Sequence, residues 1–251
     1  GRAQSTGMER THNEAARCAM LGAAAGEEPL PALGLFIVAD GMGGHRSGEV
    51  ASSISARTVA HRLTRDAVLR MMEDESRSEM APLQDVVRVA LEEANQLVVE
   101  RVPGGGTTLT AALLLGQQIT FGHVGDSRAY LIRPDQTRVL TRDHSLVKRL
   151  EELGQLTPEE AELHPQRNVL YRAIGQGANL EVDVMTIPVT HGSYLMLCSD
   201  GLWGVIPDRE IERIVLGAAN PQTACDQLVA AANAAGGPDN ITALLVYFPP
   251  R

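Results

Sequence analysis

Apolar residues recur on two different periods along the chain. Val86, Val87, Ala90, Leu91, Ala94, Leu97 and Val98 return every three or four positions, which predicts a helix over about Leu83–Val102, stopped by the glycines at 104–106. Ser47 ahead of Val50, Ile54 and Val59 predicts an earlier helix capped by that serine. The polar stretch EDESRSEM, 73–80, reads as a surface loop between the two. After the glycines the texture becomes short apolar or β-branched runs cut by Gly, Asp and Pro: Thr107–Leu115, Ile119–Val124, Ala129–Arg133 and Thr137–Leu140. These read as antiparallel strands. A helical insert is predicted from His144 to about Glu162, punctuated by Pro158 and Pro165. Strand patterns return at Glu181–Val189 and Tyr194–Cys198, helical ones near Asp208–Leu216 and Gln222–Ala235, and Ile241–Tyr247 closes as a strand. Strands and helices fall in blocks instead of alternating, which favours an α+β fold over a doubly wound parallel sheet.

Composition narrows the function classes. Thirty-one acidic against 22 basic residues give a net charge of -9, so the chain has no general attraction for a nucleic-acid backbone. Aromatic residues are 3% of the chain, too few for base-stacking platforms. Its three cysteines, Cys18, Cys198 and Cys225, are odd in number and far apart, which suits a reducing compartment and predicts a cytoplasmic protein. No apolar run reaches the length of a membrane span. The chain starts at Gly1 instead of Met and ends FPPR, which reads as the start of a linker in a longer parent.

One pattern carries the chemistry. The run FIVADGMGG ends an apolar strand on Asp40 and Gly41, and YLMLCSDGLWG repeats the arrangement at Asp200. HVGDSRAY puts Asp126 between two strands, and GGPDNIT puts Asp239 just before the last one. Taken singly, each is a turn, because Asp and Gly favour turns on their own account. Four aspartates at strand ends can converge at one edge of a sheet, where they repel unless a cation neutralises them. Oxygen-only ligands favour Mg²⁺ or Mn²⁺ over zinc, and two such ions can share a water and orient it for in-line displacement. A phosphate also wants a planar cationic fork, for which Arg10 in ERTHNEA is the candidate. Other phosphatase chemistries lack their residues: no cysteine is followed by Arg at the cradle spacing, and there is no P-loop, HExxH or DxDxT motif.

In chain order the sequence carries RTHNE, VADGMGG, GGTTLTAALL, HVGDSRAY, LTRDHSLV, RNVLYRAIG, LCSDGLWG and GPDNIT. With these motifs, from about Arg10 to Val246, it resembles the protein phosphatase 2C (PPM) family of metal-dependent serine/threonine phosphatases in its compact bacterial form. The resemblance implies a four-layer αββα sandwich, two antiparallel sheets flanked by helices, formed by one domain over residues 1–251 with a flap near 144–165 beside the cleft. It implies two or three Mn²⁺ or Mg²⁺ ions, with Asp40 bridging two of them and the Gly41 carbonyl on one. It assigns Asp200 and Asp239 to the other ion, Asp126 to a third position, and Arg10 to the phosphate. The reaction implied is hydrolysis of phosphoserine and phosphothreonine by direct attack of a metal-bridging water. Phosphorylated proteins would be the substrates, a serine/threonine kinase the functional counterpart, and the protein a monomer.

Two departures stand out. Where the family has an aspartate soon after the arginine, this chain has Ala15, which leaves Glu14 as the ligand of that segment. Met42 in the glycine loop offers no proton donor, so His45 and His144 are the histidines to consider as general acid, each with a structural role as the alternative. Ala15 also sets up the competing reading: a catalytically weakened or inactive domain of the same fold that binds phosphoproteins or regulates.

Overall fold

The computed structural model describes residues 1–24, 30–43, 46–69 and 81–250. The predicted loop at 73–80 and His45 lie outside the described residues. The described residues form twelve strands: β1 (Arg2–Ser5), β2 (Ala16–Ala24), β3 (Leu30–Ala39), β4 (Gly41–Met42), β5 (Gly106–Thr107), β6 (Leu109–Leu115), β7 (Gln118–Val124), β8 (Arg128–Arg133), β9 (Gln136–Val139), β10 (Asp183–Pro188), β11 (Ser193–Cys198) and β12 (Ile241–Phe248). The α-helices are α1 (Arg46–Leu63), α2 (Leu83–Arg101), α3 (Leu146–Glu152), α4 (Pro158–Leu163), α5 (Asp200–Trp203), α6 (Asp208–Gly217) and α7 (Pro221–Ala234). One five-stranded sheet runs β1-β12-β11-β8-β9, the other β10-β7-β6-β3-β2, and every pairing is antiparallel.

Strand alternation explains the four layers. Along β3, Leu35, Ile37 and Ala39 face the helix pair α1/α2, where they join Val59, Leu63, Val87, Leu91 and Val98 in one core. Phe36 and Val38 point the other way and meet Leu195, Leu197, Leu244 and Phe248 of the opposite sheet. On the far side, Met196, Cys198, Ala243 and Leu245 pack under α6 and α7 against Ile211, Leu228 and Ala232. Both faces of each central strand are therefore covered, which is why these strands read as unbroken apolar runs and not as alternating ones. The result is helices, sheet, sheet, helices.

Some local expectations needed adjusting. Helix α1 begins at Arg46, so Ser47 lies in its first turn and not at the cap. Its buried face follows Ala51, Ser55, Val59 and Leu63, while Val50 is exposed. The insert holds two short helices. Ser145 caps α3 by accepting from the Lys148 amide, and Thr157 with Glu160 forms a capping box on α4. Among the described residues no helix is long and apolar enough to cross a membrane.

Candidate active site

Strand ends from both sheets deliver the carboxylates. Asp40 leaves β3, Asp126 sits between β7 and β8, Asp200 opens α5 just after β11, and Asp239 stands just before β12. All four line one cleft of about 200 Å³, together with Arg10, Glu14, Gly41, Met42, Thr108, Asn168, Leu170 and Asn240. The residues expected to hold metal and phosphate, Arg10, Glu14, Asp40, Gly41, Asp126, Asp200 and Asp239, thus all line the same cleft.

The main chain around Asp40 is fixed from several directions. Its amide donates to Thr108 Oγ1 at 3.0 Å, and its carbonyl accepts from Thr107 Oγ1 and the Thr108 amide, both at 2.8 Å. Gly41 is obligatory here: a Cβ would stand 2.4 Å from the Gly48 carbonyl oxygen and 2.6 Å from that of Glu14. Asn240 makes three bonds to the N-terminal stretch. Its Oδ1 accepts from the Glu14 amide at 2.7 Å, and its Nδ2 donates to the carbonyls of Thr6 and His12, both at 2.9 Å. The segment that carries Arg10 and Glu14 is thereby clamped onto the loop that carries Asp239. Arg10 Nη2 donates to Asp239 Oδ2 at 2.7 Å.

The electrostatics are those of crowded negative charge. Burial raises Asp40 well above the ordinary carboxylate range, and Asp200, Asp239 and Asp126 push it further in the same direction. Asp126 is raised by burial and then by Asp200, and Asp200 by burial and then by Asp239. Asp200 Oδ1 is buried with no hydrogen-bond partner among the described residues. A buried carboxylate oxygen without a donor costs free energy that a cation would recover. Among the described residues no three His, Cys, Asp or Glu side chains wrap a ready-made cage. An ion here would complete its shell with carbonyl oxygen and water, as Mg²⁺ and Mn²⁺ do. The donor set, all oxygen with no cysteine or histidine lining the cleft among the described residues, fits those hard cations and not zinc.

His144 is not at the cleft. It is buried, its Nδ1 accepts from the Gly125 amide at 3.1 Å, and its Nε2 faces Asp183 Oδ2 at 3.2 Å. Burial, then the nearby Arg172 guanidinium, lowers its pKa. It is a neutral structural histidine that ties the insert to the Asp126 loop. Ala15 does not line the cleft; its amide and carbonyl bond to Asn13 and Gln4. Sequence reasoning gave no role to Thr108, Asn168, Leu170, Asn240 or Trp203. All five lie inside quoted motifs, GGTTLTAALL, RNVLYRAIG, GPDNIT and LCSDGLWG, but the motifs did not indicate the contacts these residues make.

A wider groove of about 1010 Å³ continues from the cleft, sharing Arg10, Asp126, Asn168, Asp200 and Asp239 with it. The insert supplies one wall through Val147, Ala161 and Leu163, and Trp203 to Pro207 lie across from it.

Known proteins resemble this chain in sequence and fold. The family profile described as Protein phosphatase 2C matches residues 28–232. The serine/threonine phosphatase stp of Listeria innocua is 38% identical over 218 residues, covering 84% of this chain and 83% of that protein. The solved serine/threonine phosphatase of S. agalactiae superposes with a TM-score of 0.82 at 33% identity, covering 98% of each chain. The catalytic domain of the phosphatase PstP, solved in complex with two manganese ions, superposes with a TM-score of 0.76 at 29% identity, covering 98% of this chain and 95% of that one. The family match takes in Asp40, Asp126 and Asp200, and the structural match spans nearly the whole chain. The chain therefore belongs to the protein phosphatase 2C family and is a metal-dependent protein serine/threonine phosphatase of the bacterial type.

Proposed function

We propose that the whole chain is one phosphatase domain, with residues 144–165 as its flap, and that it removes phosphate from serine and threonine side chains of protein substrates at the Asp40 cleft. The observation that carries the assignment of this site is the convergence of Asp40, Asp126, Asp200 and Asp239, with an unpartnered buried oxygen on Asp200, beside the guanidinium of Arg10. Two or three Mn²⁺ or Mg²⁺ ions fit that donor set. Asp40 with the Gly41 carbonyl, Asp200, Asp239, Asp126 and Glu14 would hold them. When bound, such ions supply a water of lowered pKa and neutralise the phosphoryl oxygens.

The chain's own residues do the rest. Arg10 uses one nitrogen on Asp239, and its remaining donors can face a phosphoryl oxygen. Gly41 and Gly43 let the loop at the cleft pass close against neighbouring main chain, where a Cβ would meet the Gly48 and Gly104 carbonyl oxygens at 2.4 and 2.7 Å. The groove beside the flap gives the substrate polypeptide a path out of the cleft, with Val147, Ala161 and Leu163 offering apolar contact to residues next to the phosphorylated one. That path suits an extended segment of another protein more than a small metabolite. A monomer in the cytoplasm, opposed by a serine/threonine kinase, is the setting we propose.

p-Nitrophenyl phosphate and a phosphothreonine peptide test the reading. Turnover of both with Mn²⁺, abolished by EDTA and restored by excess Mn²⁺, is the expected result. No turnover would favour the inactive-domain reading, and Mn²⁺-independent turnover would refute the ion-holding role of the cleft. Ala15→Asp adds a carboxylate to the segment that carries Glu14. It is expected to tighten Mn²⁺ binding several-fold in calorimetry and raise turnover at limiting Mn²⁺. An unchanged isotherm would mean that Glu14 suffices and that Ala15 limits nothing.

A further inference from the structure

Asp126 and Asp200 repel each other across the cleft, yet each sits on a short segment with little length of its own to hold it. Asp200 begins the single turn of α5, and Trp203 ends it three residues later, on the same face. The indole Nε1 of Trp203 donates to the main-chain carbonyl of Asp126 at 3.0 Å. One helical turn therefore spans from one carboxylate residue to the backbone of the other.

That turn is locked at its base. Gly204 N–H closes it on the Asp200 carbonyl at 2.8 Å. Ser199 Oγ donates to the Asn240 carbonyl and accepts from the Thr242 amide, both at 3.0 Å. Gly201 packs so closely on Asn240 that a Cβ would stand 2.3 Å from its carbonyl oxygen. The indole end is locked too. The Arg128 guanidinium lies 3.5 Å over the ring centroid and is held by Asp143 at 2.7 Å through Nη2, with Nε shared between both carboxylate oxygens. Asp143 is itself buried.

The flanking residues of the Asp126 loop have other anchors. Gly125 is held through its amide and carbonyl by His144, and Ser127 by Thr108 and Thr110. Asp126 itself is tied through its main-chain carbonyl, which accepts from the indole.

We propose that Trp203, seated by Arg128 and Asp143, is a positioning residue that sets the spacing of Asp126 and Asp200 and so builds the ion position the two share. This rests on the reading of both carboxylates as ion-holding. Trp203 touches neither substrate nor ion in this role; it acts through the Asp126 carbonyl.

Trp203→Phe keeps a six-membered ring to sit under Arg128 and deletes the N–H donor along with the five-membered ring that carries it. Calorimetric titration with Mn²⁺ alone should show one binding step weakened by about ten- to a hundredfold. The other steps should stay within twofold, and the thermal midpoint of the metal-free protein should be little changed. Asp126→Asn should weaken the same step, and the double variant should lose no more than the greater single loss, as partners in one interaction do. An isotherm unchanged by Trp203→Phe overturns the proposal. So does equal weakening of every step together with a lowered midpoint, which is the mark of a merely structural residue. If Trp203→Phe does not fold, the wild-type protein decides. Trp203 is the only tryptophan in the sequence, and its emission must respond over the Mn²⁺ range in which Asp126→Asn loses a step. Constant emission there overturns the proposal. A flat wild-type isotherm would instead refute the ion-holding reading of the cleft, and this proposal with it.

Discussion

Asp40→Asn lowers Mn²⁺-dependent hydrolysis of p-nitrophenyl phosphate by about a thousandfold or more, equivalent to roughly 4 kcal/mol of transition-state stabilisation. The amide has nearly the shape of the carboxylate, so the main-chain bonds of residue 40 to Thr107 and Thr108 survive. What is lost is the negative charge at the point where Asp200, Asp239 and Asp126 converge. The same substitution has an opposite effect on stability in EDTA. Burial and three like charges hold the Asp40 carboxyl well above its ordinary range, so its ionised form works against the fold. A neutral isostere removes that repulsion, and the melting temperature in EDTA rises by about 2–4 °C for each kcal/mol relieved. Activity falling while metal-free stability rises identifies a functional carboxylate. A variant that loses activity and melts lower in EDTA would point to a structural residue instead, and the assignment of Asp40 would fail.

The sequence was informative where one short stretch carries its own reason. The runs at Leu35–Ala39, Ile119–Val124 and Ile241–Tyr247 are apolar on both faces, and the strands lie there because helices cover one side and the other sheet covers the second. The helix over Leu83–Arg101 was legible because its period is strict. By contrast, β2 reads ARCAMLGAA, poor in β-branched residues, and is a strand because β3 pairs with it along most of its length. The polar RAQS of β1 likewise becomes a strand only by pairing with β12. In α1 the surprise was which face is buried: the small residues Ala51 and Ser55 allow close packing, and Val50 is left outside.

The site divided in the same way. Aspartates beside glycine at strand ends announce themselves, because turn chemistry and metal chemistry use the same residues. Asn240 and Trp203 do not. Asn240 matters because it reaches back more than two hundred positions to Thr6, His12 and Glu14, and Trp203 because it reaches 77 positions to Asp126. Both sit in recognisable motifs, LCSDGLWG and GPDNIT, but a local motif does not say which distant group its tryptophan or asparagine will reach.

Arg10→Ala is expected to reduce kcat/KM for p-nitrophenyl phosphate by about a hundredfold or more, the usual scale for removing one donor to a charged transition state. The fold should be indifferent. The Arg10 side chain is 52% exposed, and exposed ion pairs contribute little to stability. Arg10→Lys should recover only part of the loss, because an ammonium keeps the charge but not the planar fork that meets two phosphoryl oxygens. Inhibition by inorganic phosphate should weaken in both variants, which places the defect in phosphate recognition. Metal binding separates this from indirect damage to the carboxylates. Arg10 holds Asp239 Oδ2 at 2.7 Å, so its removal frees that oxygen and should leave Mn²⁺ affinity equal or tighter. If Arg10→Ala instead weakens Mn²⁺ binding while phosphate inhibition stays unchanged, the arginine serves to orient Asp239. The phosphate grip would then have to come from another cation along the groove, with Arg167 at the flap's end the first to examine.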